Sequence, residues 1–185
     1  MMLAPGTPLP SFALPGLDGK LVTDVQFRGS PGLLVAFICT HCPFVKHIRR
    51  EFARFTNEYA ARGLAIVGMA SNDVAAFPED GPEGMAHDAR DAGYTFPYLF
   101  DETQEVARKF RAACTPDLFL FDRNGSLVYR GQFDSSRPGN GVPVTGSDIR
   151  AAADAVLNGL PVNPEQRASI GCNIKWKPGN EPEYF

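Results

Sequence analysis

The sequence predicts an α/β fold with a central mixed β-sheet flanked by helices. Three observations carry this reading. Two continuous apolar runs, Leu33 to Ile38 and Leu64 to Ala70, enclose one long amphipathic segment, the pattern of a β-α-β unit with strands buried on both faces. Further on, the runs Leu118 to Phe121 and Leu127 to Tyr129 flank Asp122-Arg123-Asn124-Gly125, a strong hairpin turn signal. Finally, 185 residues with 44% apolar and 21% charged side chains suit one globular domain with a single core.

Taken in order, residues 1–31 are rich in Pro and Gly and form an N-terminal extension. Within it Phe12-Ala13-Leu14 and Leu21-Val22 flank Gly16-Leu17-Asp18-Gly19 as a small hairpin. After the first buried strand, Phe44, Ile48, Phe52, Phe55 and Tyr59 recur at steps of four and three, and Gly63 is a natural helix stop. Residues 71–82 read as a loop, Glu83 to Ala92 as a short helix and Phe96 to Phe100 as a short strand. Asp101 reads as an N-cap completed by Gln104 in a capping box, with the helix running to Phe110. Residues 131–146, rich in Gly, Pro and Ser, are expected to form an exposed loop, and Ser147 to Asn158 a last helix. The segment 160–185 carries four prolines with Ile170, Ile174, Trp176, Tyr184 and Phe185. It is too apolar to be free, so an ordered tail packed on the domain is expected.

Charge and composition exclude several functions. Eighteen basic against 21 acidic residues give a net charge of −3, which is no electrostatic footprint for nucleic acid or an anionic membrane surface. The longest apolar stretch, Leu33 to Cys39, is too short to cross a bilayer, and the first thirty residues lack a basic start followed by an apolar run. A cytoplasmic protein is therefore expected. Four cysteines in that setting point to redox or metal chemistry more than to structural disulfides.

Cys39-Thr40-His41-Cys42 is the centre of interest. The spacing alone also fits zinc. Its place between a buried strand and a long helix reads instead as a redox dithiol. Positions i and i+3 bring two sulfurs together, and the open N–H groups and partial positive charge of a helix start stabilise a thiolate. Cys39, expected to be the more exposed, is assigned as nucleophile and Cys42 as the resolving thiol. Pro43 complicates this, because the residue before proline avoids helical angles while proline suits the first helical turn. A protonated His41 would favour the thiolate; the alternative is a solvent-facing polar residue. Lys46 and His47 read as a solvated helix face. Cys114-Thr115-Pro116 precedes a strand, and Pro116 is expected to be cis and to face the dithiol, with Thr115 beside it.

The stretch Pro8 to Lys20 resembles the opening of the peroxiredoxin and AhpC/TSA branch of the thioredoxin superfamily. Cys39 to Lys46, Cys114 to Asp122 and the tail Ser169 to Asn180 resemble a bacterial peroxiredoxin-like group of that superfamily. The resemblance runs nearly end to end. It implies a thioredoxin-like fold with an active dithiol, no cofactor, and protein or small-molecule disulfide and thiol substrates. The chain departs from the peroxiredoxin pattern Pro-x-x-x-Thr-x-x-Cys: counting back from Cys42 gives Cys39 and Val35, and from Cys39 gives Ala36 and Gly32. It also lacks the Trp-Cys-Gly-Pro-Cys centre of general thioredoxins.

Three functions compete. The first is a thiol–disulfide oxidoreductase working through a mixed disulfide, as a monomer or weak homodimer. The second is a thiol peroxidase. The third is a zinc or copper module, disfavoured because no histidine follows His87. Cys114 and Cys172 are read either as a second redox pair brought together by the folded-back tail or as two buried thiols behaving as small apolar residues.

Overall fold

The computed structural model describes residues 3–184. Two short antiparallel strands, β1 (Ala13–Pro15) and β2 (Leu21–Thr23), form the N-terminal hairpin. They are followed by β3 (Gly32–Phe37), helix α1 (Pro43–Ala61), β4 (Ala65–Ala70), α2 (Pro82–Ala92), β5 (Tyr98–Phe100) and α3 (Glu105–Phe110). Next come β6 (Cys114–Thr115), β7 (Asp117–Asp122), β8 (Leu127–Gly131), α4 (Ser147–Leu157) and, in the tail, β9 (Cys172–Asn173).

The central sheet has the order β5-β4-β3-β7-β8. β3 pairs parallel with β4 and antiparallel with β7, so the sheet is mixed as the sequence implied. Every residue of β3 is buried, because both sheet faces are covered. Side chains alternate across the sheet. Leu34 and Ala36 join α1 and α4 on one face, packing with Phe52, Phe55, Tyr59 and Ile149. Leu33, Val35 and Phe37 join α3 and the N-terminal hairpin on the other, where Phe110 meets Phe12, Phe37, Phe119 and Phe121. Gly63 ends α1 with φ of 98°, a left-handed position that costs glycine nothing.

The ends of the chain are tied to this body. Isolated bridges join Pro8 to Ser126 and Gly16 to Leu99, so the extension spans the outer face of the sheet. The tail folds back as expected, and β9 pairs antiparallel with β6. Phe185, expected to pack with it, lies outside the described residues.

Two expectations fail. Asp101 and Gln104 do not form a capping box. The helix starts later, at Glu105, with Gln104 in a left-handed conformation at its N-cap. The buried Asp101 carboxylate still accepts from the N–H groups of Val106 and Ala107, at 3.3 and 2.8 Å, so it satisfies the helix start from a distance. The Gln104 amide is thereby freed to bind the tail. The segment 131–146 is also not simply an exposed loop. Gln132, Phe133, Asp134 and Ser136 are buried. Phe133 packs edge-on against Phe52 and Phe55, while the Asp134 carboxylate gathers the N–H groups of Ser136, Thr145 and Gly146. One aromatic ring and one carboxylate outweigh the loop-like composition around them.

Candidate active site

Strand β3 delivers Cys39 at its end, since the Ile38 N–H still bonds to the Met69 carbonyl. Proline has no N–H to satisfy and suits the first helical position, so α1 begins at Pro43. Cys42 is then the N-cap, with the extended angles (φ −63°, ψ 123°) that a residue before proline prefers. Its sulfur therefore sits at the open N-terminus of a 19-residue helix, where unpaired N–H groups and the positive end of the helix dipole favour an anion. Cys39 lies outside the helix.

The loop between the two cysteines is held by a residue that sequence reasoning missed. Asp80 is completely buried. Its carboxylate accepts from Thr40 N at 2.9 Å, Thr40 Oγ1 at 2.7 Å, His41 N at 3.2 Å and Asn72 Nδ2 at 2.8 Å, and it meets His41 Nδ1 at 2.5 Å. Burial alone would raise this carboxyl. The hydrogen bonds from Asn72 and Thr40 and the neighbouring His41 outweigh that and hold it below its ordinary value. The His41 ring stacks on Phe77 with centroids 4.9 Å apart. His41 is thus a fixed part of the loop, not a solvent-facing bystander. Lys46 is exposed as expected, whereas His47 is half-buried and meets Ser136 Oγ at 2.7 Å.

Facing the loop is Thr115, whose bond to Pro116 is cis, as anticipated. Cys39 Sγ lies 3.3 Å from Thr115 Oγ1, and Cys42 as a thiol donates to the Thr115 carbonyl at 3.2 Å. Neither sulfur is open to solvent: Cys39 is 1% exposed and Cys42 0%. Exposure therefore does not set Cys39 apart as the more open of the two. The electrostatics separate them. The hydrogen bond from Cys39 lowers the Cys42 thiol, burial works against it, and contacts with Cys172 and Thr115 lower it further, so it rests well below an ordinary thiol. Cys39, which supplies that hydrogen bond, is also buried and faces the Asp80 carboxylate; all three effects push it up.

The remaining cysteines lie on opposite faces of one strand pair. In the β6–β9 register Cys172 stands opposite Thr115, and Cys114 opposite Asn173. Cys114 points away from the dithiol. Its thiol donates to the Pro116 carbonyl at 3.7 Å, and burial with the nearby Asp117 pushes it up to about 12. Cys172 is half-buried and packs against the buried cluster that contains Cys39 and Cys42. The tail thus brings Cys172 to the dithiol, while its cross-strand partner is not Cys114. All four cysteines are free thiols.

A metal could find ligands only at one place among the described residues, where atoms of Cys39, His41 and Asp80 lie within 4.8 Å of one another. Both Asp80 oxygens are already committed to Thr40, His41 and Asn72, so binding an ion there would break the bonds that shape the loop.

A cysteine pair at a strand-to-helix junction, faced by a cis-proline strand in a mixed sheet, defines the thioredoxin superfamily, here in its peroxiredoxin-like branch. The chain belongs to the AhpC/TSA family, whose model matches residues 5–130. A hypothetical protein from Sinorhizobium meliloti 1021 is 52% identical with a TM-score of 0.95, the match covering 97% of this chain and 98% of that one. The thioredoxin domain of a thiol-disulfide oxidoreductase from Bacteroides vulgatus shares the fold, with a TM-score of 0.59 at 19% identity over 69% of this chain and 88% of that one. The chloroplastic peroxiredoxin Q of Suaeda salsa is 25% identical over 143 residues, 71% of this chain and 62% of that protein. The chain spans about three fifths of the length of the curated relatives it matches. No helix among the described residues is long and apolar enough to cross a membrane.

Proposed function

We propose that this chain is a thiol–disulfide oxidoreductase in which Cys39 and Cys42 alternate between a dithiol and a disulfide. The observation that carries the reading is the N-cap position of Cys42, with the Cys39 thiol and the Thr115 side chain lowering its thiol. In this reading Cys42 is the nucleophile and Cys39 the second thiol, the reverse of the order assigned from the sequence; the N-cap position of Cys42 supports it. In the reducing direction, once the tail strand β9 has lifted off β6, a Cys42 thiolate forms a mixed disulfide and expels one substrate thiolate. Cys39 then attacks the Cys42 sulfur and releases the other substrate thiol, so two electrons and two protons pass to the substrate. Asp80 fixes the Thr40-His41 loop that joins the two cysteines. The partners are proteins or small molecules bearing disulfides or thiols, and no step calls for a cofactor.

The test is a redox titration of the full chain with peptide mapping. A Cys39–Cys42 disulfide with a measurable two-electron potential, and loss of insulin disulfide reduction in Cys42→Ser, are expected. Finding no reversible bond between these two residues eliminates the reading.

The family match favours a second reading, peroxide reduction by Cys42. Thr115 Oγ1, 3.3 Å from Cys39, is the hydroxyl at the dithiol in place of the threonine that the peroxiredoxin pattern puts three residues earlier. Peroxide consumption no faster than with free cysteine would remove it.

A further inference from the structure

The dithiol has an access problem. Cys39 and Cys42 are 1% and 0% exposed, so an external partner cannot reach either sulfur while the tail is seated. Cys172 is the only cysteine that is not fully buried. It sits on β9, paired along the edge of β6 beside Pro116, with its side chain on the same face as Thr115 and packed against the buried cluster that contains Cys39 and Cys42. An extended chain laid on a free strand edge is a general mode of peptide recognition. Here the chain's own tail occupies that edge and offers its own cysteine.

The seat is built, not incidental. Gly171 passes so close to the Thr115 carbonyl that an added Cβ would run into it. Ile174 N donates to the Ala113 carbonyl at 3.1 Å, and Ile174 is buried. Asn72, which also holds Asp80, accepts from Lys175 N at 2.9 Å, and the Gln104 side chain grips Lys175 O and Lys177 N, both at 2.8 Å. The same network therefore fixes the dithiol loop and the tail. Next to Cys172, Ile170 is 58% exposed, a small apolar landing beside the accessible sulfur.

We propose that Cys172 is a third redox thiol, held against Cys42 by the tail strand in the manner of a bound substrate, through which an external dithiol reductant delivers electrons to the buried Cys39–Cys42 centre. The inference rests on the dithiol reading above. Starting from the Cys39–Cys42 disulfide, the Cys172 sulfur attacks Cys42. A Cys42–Cys172 bond forms, the Cys39–Cys42 bond breaks, and Cys39 takes up the proton that Cys172 gives up. The external dithiol then attacks the accessible Cys172 sulfur and Cys42 departs as the thiolate, the form its helix-end position stabilises. The reductant's second thiol closes its own disulfide and frees Cys172. The sum is one external dithiol oxidised and one Cys39–Cys42 disulfide reduced.

Two measurements on the full chain test this. Cys39→Ser, oxidised with diamide and digested without reduction, should yield a Cys42–Cys172 linked peptide; recovery of Cys172 as a free thiol overturns the inference. The oxidised wild type and oxidised Cys172→Ser, each reduced with dithiothreitol, should differ by loss of the fast phase in the variant; equal rates overturn the inference while leaving the dithiol reading intact. If no Cys39–Cys42 disulfide forms in either protein, the dithiol reading itself fails and the inference with it.

Discussion

Replacing Asp80 with alanine probes both the stability and the shape of the site. Five hydrogen bonds converge on its carboxylate, from Thr40 N, Thr40 Oγ1, His41 N, His41 Nδ1 and Asn72 Nδ2. Thr40 Oγ1 keeps a second acceptor in the Glu79 carbonyl, and the His41 side chain, 20% exposed, can turn to water. Three donors are left without a partner: Thr40 N, His41 N and the buried Asn72 amide. Each stranded buried donor costs about 1–3 kcal/mol, and some water entry keeps the sum toward the low end, so a loss of about 3–5 kcal/mol is expected. For a chain of this size that lowers Tm by roughly 10 °C. Urea unfolding of wild type, Asp80→Ala and Asp80→Asn at several pH values is the assay. Because the folded carboxyl lies below its ordinary value, its ionised form stabilises the protein above about pH 4, and that contribution is lost as pH falls through the lower folded value. The gap between wild type and Asp80→Asn should therefore narrow in acid. A cost below about 1 kcal/mol for Asp80→Ala would refute the account of the loop.

Three more outcomes follow from the geometry. Cys39→Ala removes the hydrogen bond that most lowers Cys42. Without it the midpoint of Cys42 thiolate formation should move to higher pH, read from far-ultraviolet thiolate absorbance; an unmoved midpoint would discount that bond. Gly171→Ala forces a methyl group against the Thr115 carbonyl, so the tail strand should loosen at a cost of about 1–3 kcal/mol, and the Ile174 amide should exchange hydrogen faster; unchanged exchange would mean the tail is held elsewhere. Phe110→Ala empties the meeting point of four aromatic rings and should cost about 3–5 kcal/mol in chemical unfolding, a figure that a near-neutral result would contradict.

What the sequence revealed depends on how local each determinant is. β3, α1 and β4 were readable because continuous apolar strands and a helical stripe of Phe44, Ile48, Phe52, Phe55 and Tyr59 are short-range patterns. The β7–β8 hairpin was readable from Asn124-Gly125, and the tail's docking from its excess of apolar residues. Asp80 was not readable. Nothing near Pro78-Glu79-Asp80-Gly81-Pro82 distinguishes a solvated loop carboxylate from one that folds under the dithiol, because its partners lie at positions 40, 41 and 72. Gln104 misled for the same reason: its amide could serve a local cap or a distant chain, and the tail at Lys175 and Lys177 took it.

The placement of the cysteines turns on two short-range facts with long-range consequences. Pro43 cannot extend a helix backward, so it makes Cys42 the cap and leaves Cys39 on the strand side; the complication visible in the sequence proves to be the determinant. Strand alternation then sorts the other two. Residues 114 and 115 must face opposite ways, so only one of them can share the dithiol's face, and the Thr115–Cys172 register places the tail cysteine there. A shift of that register by one residue would turn Cys172 away from Cys42 and set Asn173 opposite Thr115. Gly171 tolerates the close approach to the Thr115 carbonyl that the observed register needs, and a side chain in its place would oppose it. The position of one glycine thus favours the register that sets Cys172 on the dithiol's face, which makes Gly171→Ala a probe of the proposed electron entry as much as of tail packing.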